Sequence, residues 1–126
     1  MAEHLESGSV AERLALSYLT ASGLRHVASN YRCRYGEIDL VMAERSKLII
    51  VEIRYRRSTH VMDPVASITP SKCRRIVRTT QHFLQRHDRW RGYPVRFDVI
   101  GLDGPLDNAN MHWIRGAFTM DDLFDH

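Results

Sequence analysis

The sequence has almost no lysine: Lys47 and Lys72 are the only two, and nearly all of its positive charge is arginine. Arginine offers phosphate a planar fork of donors, although an arginine-rich coding bias would give the same count. Cysteine is as scarce. Cys33 and Cys73 have no C-x-x-C partner, which argues against a disulfide framework or a zinc knuckle and leaves two reduced thiols. The longest strongly apolar run, Leu48-Ile49-Ile50-Val51, is too short to span a bilayer, and Met1-Ala2-Glu3-His4 carries no basic start of a signal peptide. A cytoplasmic protein without a membrane partner is expected. The seven histidines form no H-x-H or H-x-x-x-H pair, so no histidine metal site is expected, and His82 and His87 read as helix surface or core edge. There is no Gly-rich phosphate loop and no G-x-S-x-G elbow, which removes nucleotide hydrolysis and acyl transfer.

What remains is an ordinary globular composition over 126 residues, with no linker and no internal repeat, and a net charge of +3. One domain is expected over residues 8–118, with 1–7 and 119–126 as flexible ends. From Ser9 to Ala21 the residues Ala11, Leu14, Ala15, Tyr18 and Leu19 recur at helical spacing, and Gly23 ends the pattern. Strands are expected over Arg25–Arg34, Gly36–Ala43 and Lys47–Tyr55. Thr69-Pro70 starts a second helix reaching about His87, with Cys73, Ile76, Val77, Thr80, Phe83 and Leu84 as its buried stripe. Pro94–Gly101 and Met111–Arg115 read as two more strands. The order helix-strand-strand-strand-helix-strand-strand predicts an α/β/α sandwich on a mixed sheet, with the strand after the crossover helix pairing in parallel.

The chemistry concentrates in Gly36-Glu37-Ile38-Asp39-Leu40-Val41 and Ile50-Val51-Glu52-Ile53-Arg54. A hairpin centred on Arg45-Ser46 sets Glu44 opposite Lys47, Asp39 opposite Glu52 and Glu37 opposite Arg54. Strand alternation then sends Glu37, Asp39, Glu52 and Arg54 to one face and Ile38, Leu40, Val51 and Ile53 to a core on the other. Opposed carboxylates repel unless a cation lies between them, and such oxygen ligands suit Mg²⁺ or Mn²⁺. The competing reading is a solvated hairpin face held by Glu37–Arg54 and Glu44–Lys47 pairs.

Several stretches then carry a resemblance: Ala11-Glu12 with Tyr18-Leu19, Asn30-Tyr31-Arg32, the two acidic strands, Lys72 with Arg75, and Arg96-Phe97-Asp98-Val99-Ile100. Over Gly8 to Phe118 the chain resembles the YraN-like family of uncharacterised bacterial proteins, itself similar to archaeal Holliday-junction resolvases within the PD-(D/E)XK nuclease superfamily. The resemblance implies a restriction-endonuclease-like fold, Asp39 and Glu52 as metal-binding acids, Glu12 as a further acid, and Arg54 at the position of the catalytic lysine. Glu12 has a competing role in a Ser9-x-x-Glu12 capping box. The chain departs from the pattern in lacking a proline before the first acid and in carrying Arg54, which stays protonated and supplies only charge and hydrogen bonds. Lys72 reads either as a stand-in for the missing amine or as a solvated lysine.

Arg56 and Arg57, at the end of the third strand, and Lys72, Arg74, Arg75 and Arg78, on the long helix, form two basic groups suited to a phosphodiester backbone, with Tyr31, Tyr35 and Tyr55 as stacking candidates. Three functions compete: a Mg²⁺- or Mn²⁺-dependent structure-selective endonuclease, acting on DNA more readily than RNA and as a possible homodimer; a non-catalytic nucleic-acid-binding module on the same fold; and a protein-interaction domain with an idle acidic face.

Overall fold

The computed structural model describes residues 2–57 and 63–120, with the backbone alone over 2–7. Helix α1 covers Ala2–Ala21, strands β1 Arg25–Cys33, β2 Gly36–Glu44 and β3 Lys47–Arg56, helix α2 Pro70–Arg86, and strands β4 Val95–Asp103 and β5 Asn110–Phe118. Two short 3-10 turns, Asp88–Trp90 and Leu106–Asn108, which the periodicity does not announce, flank β4. The element order is the expected one. The start of α1 differs, at Ala2 rather than Ser9, so Ser9 and Glu12 lie inside the helix and form no capping box. Most of the expected C-terminal tail lies outside the described residues.

Ala11, Ala15 and Leu19 make the buried stripe of α1. The helix closes where Gly23 takes φ 102° and the Leu24 amide donates to the Leu19 carbonyl at 3.1 Å, a Schellman-type stop that also buries Leu24. Thr69 caps α2, its hydroxyl accepting from the Lys72 amide at 3.1 Å, and Pro70 opens the first turn. Cys73, Ile76, Val77, Thr80 and Phe83 are buried as the spacing predicts.

The five strands lie in sequence order β1-β2-β3-β4-β5. All neighbours are antiparallel except β3 and β4, which α2 connects in parallel. Helix α1 covers one face and α2 the other, so the architecture is the expected α/β/α sandwich with a mixed sheet. Both faces are therefore core, which corrects the expectation of a single apolar face. Leu40, Met42, Ile49 and Val51 pack toward α1, while Val41, Ala43, Leu48 and Ile50 pack toward α2. Ile38 also joins the α2 side, against strict alternation. Across the β1–β2 ladder the register runs unshifted from Ser29↔Leu40 to Tyr31↔Ile38, and Asn30, between them, has φ 54°.

Gly101 on β4, opposite Arg54 on β3, brings a loop close to the sheet. A methyl group there would overlap the Pro64 ring, whose loop continues through Ser67 to the cap of α2. Gly101→Ala is expected to cost about 1–3 kcal/mol, the usual penalty of overpacking, read as a lower urea midpoint. A variant as stable as the wild type would show that the Pro64 loop yields freely.

A candidate metal and phosphodiester site

The β2–β3 hairpin turns at Arg45-Ser46, Arg45 supplying a φ of 54°, and the pairs Glu44↔Lys47 through Leu40↔Val51 follow the expected register. Pairing goes no further along the strands. Instead Oδ2 of Asp39 accepts the Ile53 amide at 2.8 Å, so the carboxylate side chain continues the ladder where the backbones part. Asp39 and Glu52 both line a recess of about 130 Å³ on the α2 side, together with Gly36, Glu37, Lys72, Arg75 and Ile76. Burial, reinforced by the neighbouring Glu52 charge, pushes the Asp39 carboxyl up to about 7.

Glu52 is only 5% exposed. Its Oε2 lies 3.1 Å from Lys72 Nζ and 3.9 Å from Arg54 Nε. Lys72 is thus no solvated helix lysine. Its position one turn before Ile76 and two before Thr79, both buried, carried the signal that its side chain starts toward the sheet. Arg54 donates from Nη2 to the Ser67 carbonyl at 3.4 Å, and its Nε is buried without a hydrogen-bond partner. The Cys73 thiol, in the same turn as Lys72, is pushed up by burial first and by Glu52 second, which makes it a poor nucleophile.

Other expected members are placed elsewhere. Glu37 lines the recess but pairs with Arg32 on β1 rather than with Arg54. Glu12 is not in the recess lining; both its oxygens accept from Asn30 Nδ2 at 3.0 Å. Glu44 turns its carboxylate to Arg96 at 3.5 Å. Arg56, Arg57, Arg75 and Arg78 are exposed and Arg74 is half-buried, with Arg75 alone among them at the recess. Tyr31 is engaged, its hydroxyl 2.5 Å from His82 Nδ1, and Tyr55 donates to the Gly104 carbonyl at 3.1 Å. Tyr35, at the β1–β2 turn, accepts from Arg34 Nη2 at 2.7 Å and is half-buried like the other two.

Among the described residues no group of three or more His, Cys, Asp and Glu is arranged to hold a metal ion. Asp39 and Glu52 still fit Mg²⁺ or Mn²⁺, because such ions take one or two carboxylates and complete their shell with water and phosphate oxygens. A larger cleft, about 520 Å³, opens at the far end of α2 between Arg25–Ala28 and His87–Trp90. Size does not make it the reactive site: its one carboxylate, Asp88, is an exposed partner of Arg91.

A carboxylate that motif reading passed over is Asp98, 1% exposed on β4. It accepts two bonds from Arg96, one from Trp113 Nε1 and one from the Gly116 amide, all within 3.0 Å. Every strong acceptor direction is used, so Asp98 ties β4 to β5 and holds nothing else. No role is assigned to it by spacing alone, because two of the groups that enclose it, Trp113 and the Gly116 amide, come from β5.

No described helix is long and apolar enough to cross a membrane. The family model of Uncharacterised protein family UPF0102 matches residues 11–102, a span that takes in Asp39, Glu52, Arg54, Lys72 and Asp98. A UPF0102 protein of Nitrosococcus oceani is 44% identical over 120 residues, covering 95% of this chain and 97% of the relative. One from Stutzerimonas stutzeri is 42% identical over 118 residues, 94% and 98% of the two chains, and one from Saccharophagus degradans is 40% identical over 122, 97% and 100%. With the match running through both acidic strands and most of the fold, the chain belongs to the UPF0102 family.

Proposed function

We propose that this protein is a divalent-metal-dependent endonuclease that hydrolyses phosphodiester bonds in DNA, with branched DNA of the four-way-junction kind as the substrate class the resemblance implies. The observation that carries the reading is the Asp39–Glu52 pair, with Glu52 buried and Asp39 half-buried, opening on a recess whose other wall is Lys72 and Arg75. A bound Mg²⁺ or Mn²⁺ supplies Lewis acidity to the phosphoryl group and to the attacking water. The chain does the rest. The Ile53 amide fixes the Asp39 carboxylate in one orientation, and burial of Glu52 under α2 keeps bulk water from its oxygens. Arg75 at the rim and Arg78 one turn on give α2 two exposed cations along which a phosphate backbone can lie.

A non-catalytic nucleic-acid-binding module is the second reading, favoured by one observation: Arg54, at the position of the usual lysine, is engaged with Ser67 rather than directed into the recess. Incubation with linear, flapped and four-way-junction DNA in Mg²⁺ or Mn²⁺, beside Asp39→Ala, separates the two. Metal-dependent cleavage by the wild type, lost at least 100-fold in Asp39→Ala, is expected. Equal cleavage by both proteins would mean a contaminant, and salt-sensitive binding with no cleavage by either would select the second reading.

A further inference from the structure

We infer that Lys72, from the first turn of α2, is the cation that contacts the phosphate undergoing cleavage, in place of Arg54; the inference rests on the nuclease reading above. Lys72 Nζ and Arg54 Nε approach the same oxygen of Glu52, at 3.1 Å and 3.9 Å. Only Lys72 lines the recess. Arg54 is drawn aside by the Ser67 carbonyl, while Lys72 has its own backbone amide fixed by the Thr69 cap, which anchors the root of the side chain above Glu52. The lysine side chain is 37% exposed against 6% for Glu52, so its ammonium bridges the buried acid and the solvent side from which DNA must arrive.

The ammonium therefore holds the place of a cation beside Glu52. Asp39 and Glu52 would hold a divalent ion, and Nζ, giving up Glu52 to it, would stay in the recess of about 130 Å³ to meet a phosphodiester. Lys72 donates hydrogen bonds to the non-bridging oxygens, where negative charge grows in the transition state. The water oxygen forms a new bond to phosphorus and the bridging P–O bond breaks. One water proton ends on the leaving sugar oxygen, and the other stays with the new phosphate monoester or passes to solvent. Lys72 neither gains nor loses a proton in this sequence.

The test uses the full chain as wild type, Lys72→Met, Lys72→Arg and Arg54→Met. Free Mn²⁺ is titrated by electron paramagnetic resonance without DNA, and single-turnover cleavage is measured on the DNA that the wild type cuts. Lys72→Met is expected to bind Mn²⁺ roughly 3–10-fold more tightly, because its competitor is gone, while cleavage falls about 100-fold with DNA affinity little changed. Lys72→Arg should recover part of the rate, and Arg54→Met should lose less than Lys72→Met. Wild-type cleavage in Lys72→Met, or Mn²⁺ affinity that does not rise in it, overturns the inference while leaving the nuclease reading intact. A wild type that cuts no DNA but binds Mn²⁺ through Glu52 overturns the nuclease reading, and the phosphate role of Lys72 with it.

Discussion

Asp39→Asn is expected to unfold at a higher temperature than the wild type at pH 8, at nearly the same temperature at pH 4, and to bind no Mn²⁺ at either pH. The folded Asp39 carboxyl is pushed up from 3.8 to about 7 by burial and by Glu52. Below pH 4 both folded and unfolded chains carry the proton, and the site costs nothing. Between about 4 and 7 the unfolded chain releases it while the folded chain retains it, so wild-type stability falls as pH rises; above 7 the loss is complete and constant. The penalty is on the order of 2–4 kcal/mol, about 5–15 °C in unfolding temperature for a domain of this size. Asparagine keeps an acceptor for the Ile53 amide and can donate to Glu52, so it removes the charge and little else. Excess Mn²⁺ should stabilise the wild type at pH 8, by about 2.7 kcal/mol at one hundred times its dissociation constant, and leave the variant unmoved. Parallel pH profiles for the two proteins would refute the account.

The second large effect lies on the opposite face. Asp98→Ala is expected to cost about 3–5 kcal/mol, because removing one partner of a buried, hydrogen-bonded ion pair leaves the others desolvated and unpaired. Arg96 would keep only Glu44 at 3.5 Å, and Trp113 Nε1 and the Gly116 amide would lose their acceptor. Asp98→Asn should cost less, since it keeps the shape and one acceptor. The double variant Asp98→Ala/Arg96→Met should be more stable than Asp98→Ala alone, because it also withdraws the stranded guanidinium. Urea unfolding measures all three. A single Asp98→Ala protein within 1 kcal/mol of the wild type would mean that water reaches this cluster and substitutes for the carboxylate.

Hydrophobic spacing and caps were enough to read the elements. The Thr69-Pro70 start of α2, the Arg45-Ser46 turn and the register from Glu44↔Lys47 to Leu40↔Val51 are where local chemistry put them. The reading lost accuracy where a residue's partner lies far along the chain. Glu12 looked like a cap because Ser9 is three residues before it, yet its hydrogen-bond partner is Asn30, eighteen residues on. Period-two alternation places Ile38 on the face of Leu40, whereas Ile38 packs with the α2-side core and Leu40 with the α1-side core. Nothing in Val95–Gly101 announces the burial of Asp98, because its partners Trp113 and Gly116 lie fifteen and eighteen residues on. Of the acidic site, spacing gave the adjacency of Asp39 and Glu52. The arrival of Lys72 on Glu52 needed the packing of α2, even though its helical phase was visible.

Both rim strands of the sheet are irregular. On β1 the register steps from His26↔Met42 to Ala28↔Val41, inserting one extra residue. On β5, Phe118 and Ile114 face Phe97 and Val99, so four residues of chain answer two, around Gly116 at φ 61°. An open sheet presents unpaired amides and carbonyls at each rim, a template on which a stray strand can grow into an aggregate. Bulged rims bend that template and put its donors out of step with a straight incoming strand. The same irregularities bear on self-association: they disfavour a dimer built by running the sheet continuously from one copy into the next.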